Sequence, residues 1–258
     1  MLTVRIGRNH LSINSKKDLE GMKAAGRVVS AALKAMRAAV QVGVTTAQLD
    51  AVGAEVFARF GARSAPQLVY GFPGINCISV NDAAVHGIPN DHPLEPGDNV
   101  KLDVTAELNG YIADAAITVA VPPVDPRVEA LGECARTAFY QGLKHIKAGT
   151  SMRDWGKAVE HEVSKSGFSV LRDLCGHGVG KTIHEAPRNL FNYDEPRMRD
   201  RFVEGTVVAA EPIISISAGH TVKDQDGWTL RSADGSMTAH FEHTVIVTKN
   251  QPIILTAA

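Results

Sequence analysis

Three features of the 258-residue sequence predict an α+β fold with a largely antiparallel sheet flanked by helices. Apolar residues recur at helical spacing in two early segments, an Asn-Gly pair joins two strand-like runs near the middle, and the last third is rich in β-branched residues. Ser15-x-x-Asp18 reads as a capping box, after which Leu19, Met22, Val29, Leu33, Met36 and Val40 line one helix face with Lys23, Arg27, Lys34 and Arg37 between them. A second helix is predicted from near Thr46, with Leu49, Val52, Val56 and Phe60 inward and Gly61 as its stop. Residues 100–108 (VKLDVTAEL) and 111–121 (YIADAAITVAV) flank Asn109-Gly110, the signature of a two-residue hairpin loop. Such a loop sets Thr105 opposite Asp114 and Asp103 opposite Ala116, which makes Asp103 and Asp114 diagonal neighbours on one face. Two later runs, GTVVAAEPIISIS from Gly205 and SMTAHFEHTVIVT from Ser236, read as further strands that contain Glu211 and Glu242.

The helical start returns later in the chain. Gly43-Val44-Thr45 and Gly61 reappear as Gly149-Thr150-Ser151 and Gly167, each 106 positions on, with Leu49 falling on Trp155. The helix carrying Leu33 has a counterpart over 131–146. This weak internal repeat predicts one domain over residues 1–258 with two related halves, about 15–121 and 125–250, and no Pro- or Ser-rich linker separates them.

Composition narrows the function. Lys and Arg total 27 against 28 Asp and Glu, a net charge of −1 that provides no global field for nucleic acid or an acidic membrane. Hydrophobic residues at 44% and charged ones at 21% exclude a disordered chain. Cys77, Cys134 and Cys175 are odd in number and form no Cys-x-x-Cys pair, so neither a disulfide framework nor a thiolate zinc site is predicted. The first twenty residues lack the apolar core of a signal peptide and no apolar run reaches about 18 residues, which predicts a soluble, cytoplasmic, unexported protein.

Strands as rich in Val, Ile and Ala as the hairpin should be buried, and adjacent buried carboxylates repel unless a proton or a cation separates them. Asp103 and Asp114 alone read equally as a solvent-facing pair. Three downstream residues change that balance: His177 among the glycines of CGHGVG, which permit close backbone approach, Glu211 in VVAAEPII, and Glu242 in MTAHFEHTVIV. Each has a plain alternative, as a loop histidine, a strand end before Pro212, or a water-facing acid. Together, four carboxylates and one neutral imidazole carry −4, the charge that two divalent cations balance. Oxygen-rich ligation with one imidazole suits Mn²⁺, Fe²⁺ or Co²⁺, in a two-metal hydrolytic centre. Two other motifs fail: Gly180-Lys181-Thr182 ends like a P-loop but has Cys175 where that motif needs Gly, and His161-Glu162 is followed by Lys165 where a zincin helix needs His.

Set in VKLDVTAELNGYIADAAIT, CGHGVGKTIHEAP, VVAAEPII and HFEHTVIVT, with VNDAAVHGIP around His86, these residues closely resemble the type I methionine aminopeptidases, M24 metallopeptidases of bacterial type, over nearly the whole chain. The resemblance implies the pita-bread fold, an α+β fold with internal pseudo-two-fold symmetry. It also implies a monomeric enzyme that hydrolytically removes the N-terminal methionine from nascent polypeptides, some at the ribosome, when the second residue is small. By that resemblance Asp103 chelates one ion, Asp114 and Glu242 bridge two, and His177 and Glu211 hold the other, with Glu211 also taking the proton of the attacking water. His86 and His184 match the two non-ligand histidines that bind the scissile amide and the tetrahedral intermediate. Phe72, Cys77 and Trp228 match the methionine pocket, whereas Pro66 stands where a cysteine is frequent and Val69 and Ile183 where aromatic residues are usual. The rival readings are an Xaa-Pro aminopeptidase or prolidase, whose additional N-terminal domain is not expected before a helix that starts near residue 15, and a non-catalytic binding protein on the same fold.

Overall fold

The computed structural model describes residues 13–257 and opens with helices α1 (Lys16–Ala39) and α2 (Thr46–Phe60). The start of α1 departs slightly from a capping box. The Ser15 hydroxyl accepts the Asp18 N–H, but the Asp18 carboxylate takes the backbone N–H of Asn14 rather than that of Ser15. Asp18 is also buried, held by the Tyr111 hydroxyl at 3.0 Å and the Lys181 ammonium at 3.0 Å. In α2 the reciprocal box forms between Thr45 and Gln48, and Gly61 closes the helix in the left-handed conformation. Phe60 is 46% exposed on the last turn, and the inward aromatic is Phe57 instead. A short helix α3 (Ala65–Tyr70), which helical periodicity alone is too brief to reveal, follows at once.

The hairpin forms as read, with strands Asn99–Leu108 and Tyr111–Ala120 paired in the register Thr105 to Asp114 and Asp103 to Ala116. Asn109 and Gly110 both take positive φ, as a type I′ turn requires. A strand at Cys77–Val80 pairs along the other edge of Asn99–Leu108 and sets Cys77 directly opposite Asp103. Every strand pairing among the described residues is antiparallel. Helices α4 (Pro126–Leu143) and α5 (Met152–Lys165) form a second pair, again entered through a left-handed glycine, Gly149, and an N-cap hydroxyl, Ser151.

Two apolar clusters hold the molecule. One joins α1 and α2 to the hairpin through Met22, Val29, Met36, Leu49, Leu102 and Val104. The other joins α4 and α5 to the C-terminal strands through Phe139, Trp155, Val159, Leu190, Val208 and Val245, with the Phe139 and Trp155 rings edge-on at 6.1 Å. Fully burying a side chain of this size contributes about 1.5–3 kcal/mol, so both helix pairs are anchored on the strands by their apolar faces. Among the described residues no helix is long and apolar enough to cross a membrane. The first twelve residues of the segment read as lacking a signal peptide lie outside the described residues.

Candidate metal centre

The two late strand runs are each interrupted at their acidic residue. Val207–Ala210 and Ile213–Ser215 are separate strands with Glu211 between them, and Thr238–His240 and His243–Ile246 are separate strands with Glu242 in the gap. Pro212 explains the first break, because it has no N–H for the ladder and offers only its carbonyl, which the Phe241 N–H meets at 3.2 Å. The register nevertheless continues across both gaps, from Ala210 opposite His243 to Ile213 opposite His240, and brings Glu211 and Glu242 face to face.

The same segment lies against the hairpin. Glu242 and Ala116 exchange backbone hydrogen bonds at 2.9 and 3.3 Å, and the Thr244 hydroxyl donates to the Asp114 carbonyl while accepting its N–H. On the far side His177, in strand Cys175–Gly178, pairs with Ala209. Asp103, Asp114, Glu242, Glu211 and His177 therefore follow one another across laterally adjacent segments. The glycines around His177 make this possible: a Cβ on Gly176 would lie 2.3 Å from the Ala209 carbonyl oxygen, and one on Gly178 2.4 Å from that of Ala186.

Distances within the row are short. Oxygens of Asp103, Asp114 and Glu242 lie within 4.8 Å of one another, as do ligand atoms of Glu211, His240 and Glu242. His177 Nε2 is 3.5 Å from Glu211 Oε1, and the His177 Nδ1 at 3.0 Å from the Gly178 carbonyl carries the ring proton, which leaves Nε2 free as an acceptor. The Thr105 hydroxyl donates to Asp114 Oδ1 at 2.8 Å. Burial, then the charge of Asp114, pushes Asp103 well above the usual carboxylate range, and burial with neighbouring carboxylates does the same to Glu211 and Glu242. Asp114 is pushed up by burial to about 6, and His177 is pushed down by burial, then by His184, to about 4. Glu242 Oε1 is buried with no hydrogen-bond partner. A cluster that resists its own charge, holds an unpartnered carboxylate oxygen and includes a neutral imidazole fits divalent cations.

A cavity of about 430 Å³ adjoins the row. Phe72 and Trp228 meet edge-on at 5.3 Å in its wall, beside Cys77, Pro66 and Ile183. Trp228 is fixed by a turn in which Asp226 accepts the N–H groups of both Trp228 and Thr229. His86, held at φ 58°, and His184 line the same cavity, and the His184 and His177 rings lie 4.2 Å apart. Val69 is 51% exposed and does not line the cavity, because the short α3 turns it outward and presents Tyr70 instead. The Tyr70 hydroxyl lies 2.6 Å from His184 Nδ1. Sequence reasoning passed over Tyr70 and His240, although His240 stands two residues before Glu242 and so shares its face by strand alternation.

The antiparallel α+β frame and its row of carboxylates and imidazoles define a protein built around a candidate divalent-metal centre. The profile of metallopeptidase family M24 matches residues 20–249, and the chain belongs to that family, with its pita-bread fold. The chain is 42% identical over 245 residues to methionine aminopeptidase 2 of Bacillus subtilis, covering 95% of this chain and 98% of that relative. It superposes on the crystal structure of methionine aminopeptidase from Thermotoga maritima with a TM-score of 0.92 at 34% identity, covering 96% and 100% of the two chains. Prolidase from Pyrococcus furiosus shares the fold, with a TM-score of 0.77 at 23% identity, and this chain spans 65% of it.

Proposed function

We propose that the protein is a dimetal methionyl aminopeptidase that hydrolytically removes the N-terminal methionine from nascent proteins and peptides, with a preference for a small second residue. The observation that carries this reading is the row Asp103, Asp114, Glu242, Glu211 and His177 beside an apolar cavity, in a chain whose relatives are named methionine aminopeptidases. Asp103, Asp114, Glu242, Glu211 and His177 would hold the two ions. Two divalent ions, of Mn²⁺, Fe²⁺ or Co²⁺, would supply the acidity that lowers the pKa of the attacking water and polarises the scissile carbonyl. Glu211, which lines the cavity, would take that water's proton. His86 and His184 hold the scissile amide and donate to the oxygen that gains charge. Phe72, Cys77 and Trp228 enclose the methionine side chain.

Nascent N-termini, some met at the ribosome, are the substrate, and the enzyme works as a cytoplasmic monomer. The catalytic unit is one domain of two related halves, about 15–121 and 125–250. Supporting that division, left-handed Gly43 and Gly61 recur as Gly149 and Gly167, and the N-cap hydroxyls of Thr45 and Ser151 recur with them.

The test is to strip the metal, restore Mn²⁺, Fe²⁺ or Co²⁺ separately, and follow the residue released from peptides beginning Met-Ala, Met-Lys, Leu-Ala and Ala-Pro. Metal-dependent release of Met from Met-Ala alone is expected. Preferential cleavage of Ala-Pro would move the chain to the prolidase side of the fold, and metal binding without cleavage would make it a binding protein.

A further inference from the structure

Outside the five residues of the row, the most isolated buried polar group at the centre is His240. Its backbone is fixed at the end of strand Thr238–His240, where the N–H donates to the Thr118 hydroxyl at 2.9 Å and the carbonyl accepts that hydroxyl at 2.8 Å. Its ring is 2% exposed, and neither ring nitrogen has a hydrogen-bond partner. A buried polar group in that state is costly, so what faces it decides its role. Nε2 lies 3.5 Å from Glu242 Oε2 and 3.6 Å from Glu211 Oε2. These are contact distances, and closing either by about half an ångström makes it a hydrogen bond.

The two oxygens of each glutamate have different neighbours. Glu211 Oε1 faces His177 Nε2, while its Oε2 faces His240. Glu242 Oε1 is buried without a partner, while its Oε2 faces His240. An ionised carboxylate only accepts hydrogen bonds, so the form of His240 that fits is the neutral ring with its proton on Nε2. Burial, then the electrostatic influence of His86 and Lys101, pushes that ring below the usual histidine range.

We propose that His240 is a positioning residue of the metal centre: its single Nε2–H holds the outer oxygens, Oε2 of Glu211 and Oε2 of Glu242, and thereby turns both Oε1 atoms toward the ions. Such outer partners restrict the rotation of a carboxylate ligand and raise metal affinity without contributing a ligand atom. The four carboxylates already balance two divalent ions, so the centre gains orientation from His240 rather than charge.

The inference rests on the dimetal reading, and the experiment separates the two. Mn²⁺ affinity is measured by calorimetry for the wild type, His240→Leu and His240→Gln, and electron spin-echo modulation at one equivalent of Mn²⁺ reports directly coordinated imidazole nitrogen. His240→Leu should weaken Mn²⁺ binding about 10–100-fold. His240→Gln, whose side-chain amide can donate in the same direction, should recover most of that loss. The nitrogen modulation should be the same in the wild type and in His240→Leu. Unchanged affinity in His240→Leu, or a glutamine variant as weak as the leucine variant, overturns the proposal. Loss of a nitrogen signal in His240→Leu overturns it too, because it makes His240 a ligand. A wild-type protein that binds Mn²⁺ as expected but releases no methionine refutes the functional reading and leaves the positioning role standing.

Discussion

Metal loading should expel protons from this protein, in a number that the geometry of the row sets. Asp103, Asp114, Glu211 and Glu242 share one buried site, and in the absence of cations each resists ionisation because burial and its acidic neighbours disfavour the charged form. Asp114 is raised to about 6 and the other three lie well above the usual carboxylate range, so all four hold protons to higher pH than free carboxylates do. His177 contributes none, since burial already keeps it neutral. Binding two divalent ions requires all four carboxylates ionised, so the protons that the row still holds at a given pH should leave on binding. Each proton displaced makes the apparent affinity for the metal pair rise about tenfold per pH unit, or about 1.4 kcal/mol. The sign follows from competition: protons oppose the metal below the folded-state pKa values, so affinity climbs through about 6, where Asp114 titrates, continues through the higher range of its neighbours and then levels. Titration calorimetry with Mn²⁺ in buffers of different ionisation enthalpy gives the proton count directly. A count of zero at about pH 6, or an affinity independent of pH between about 5 and 7, would refute the electrostatic account of the row.

The remaining predictions concern single side chains. His177→Ala removes the one imidazole expected as a ligand and should nearly abolish turnover while lowering the metal content found by elemental analysis; full activity would remove it from the centre. His184→Ala should lower kcat by about a hundredfold with metal content unchanged, as its proposed role toward developing charge rather than the ions requires. Tyr70→Phe deletes the 2.6 Å contact with His184 Nδ1 and should lower kcat by up to about tenfold at constant KM, a split that steady-state kinetics reads. Gly176→Ala forces a Cβ to within 2.3 Å of the Ala209 carbonyl, so the strands carrying His177 and Glu211 must part. A cost of about 2 kcal/mol, seen calorimetrically as a fall in Tm of roughly 4–8 °C, is expected, and an unchanged Tm would contradict the close approach.

What could be read in the sequence follows from the range of the interactions involved. The hairpin was legible to the residue because a two-residue loop fixes register locally, and the side-chain period of two then places Asp103 and Asp114 on one face. The start of α1 and the two ends of α2 were legible for the same reason, since Ser15, Thr45 and Gly61 act on their own neighbours. The cavity beside the row was not legible from pattern: Cys77 meets Asp103 only through a pairing between two separate strands, and Val69 and Tyr70 exchange places because α3 is a single short helix. Nor was the interruption at Glu211 and Glu242, which β-branched runs on either side conceal. His240 is the instructive omission. Strand alternation sends His240 and Glu242 to one face and His243 to the other, where its ring meets Phe139 at 5.3 Å and Nδ1 meets the Thr256 hydroxyl at 2.8 Å. Two histidines three residues apart thus have different surroundings: His243 packs on the core that α4 builds and meets the Thr256 hydroxyl, whereas His240 Nε2 faces the carboxylates of Glu211 and Glu242. A buried donor whose available acceptors are the carboxylates of the proposed metal ligands cannot be indifferent to how those ligands are oriented, which is why the parity of one strand bears directly on the chemistry of the centre.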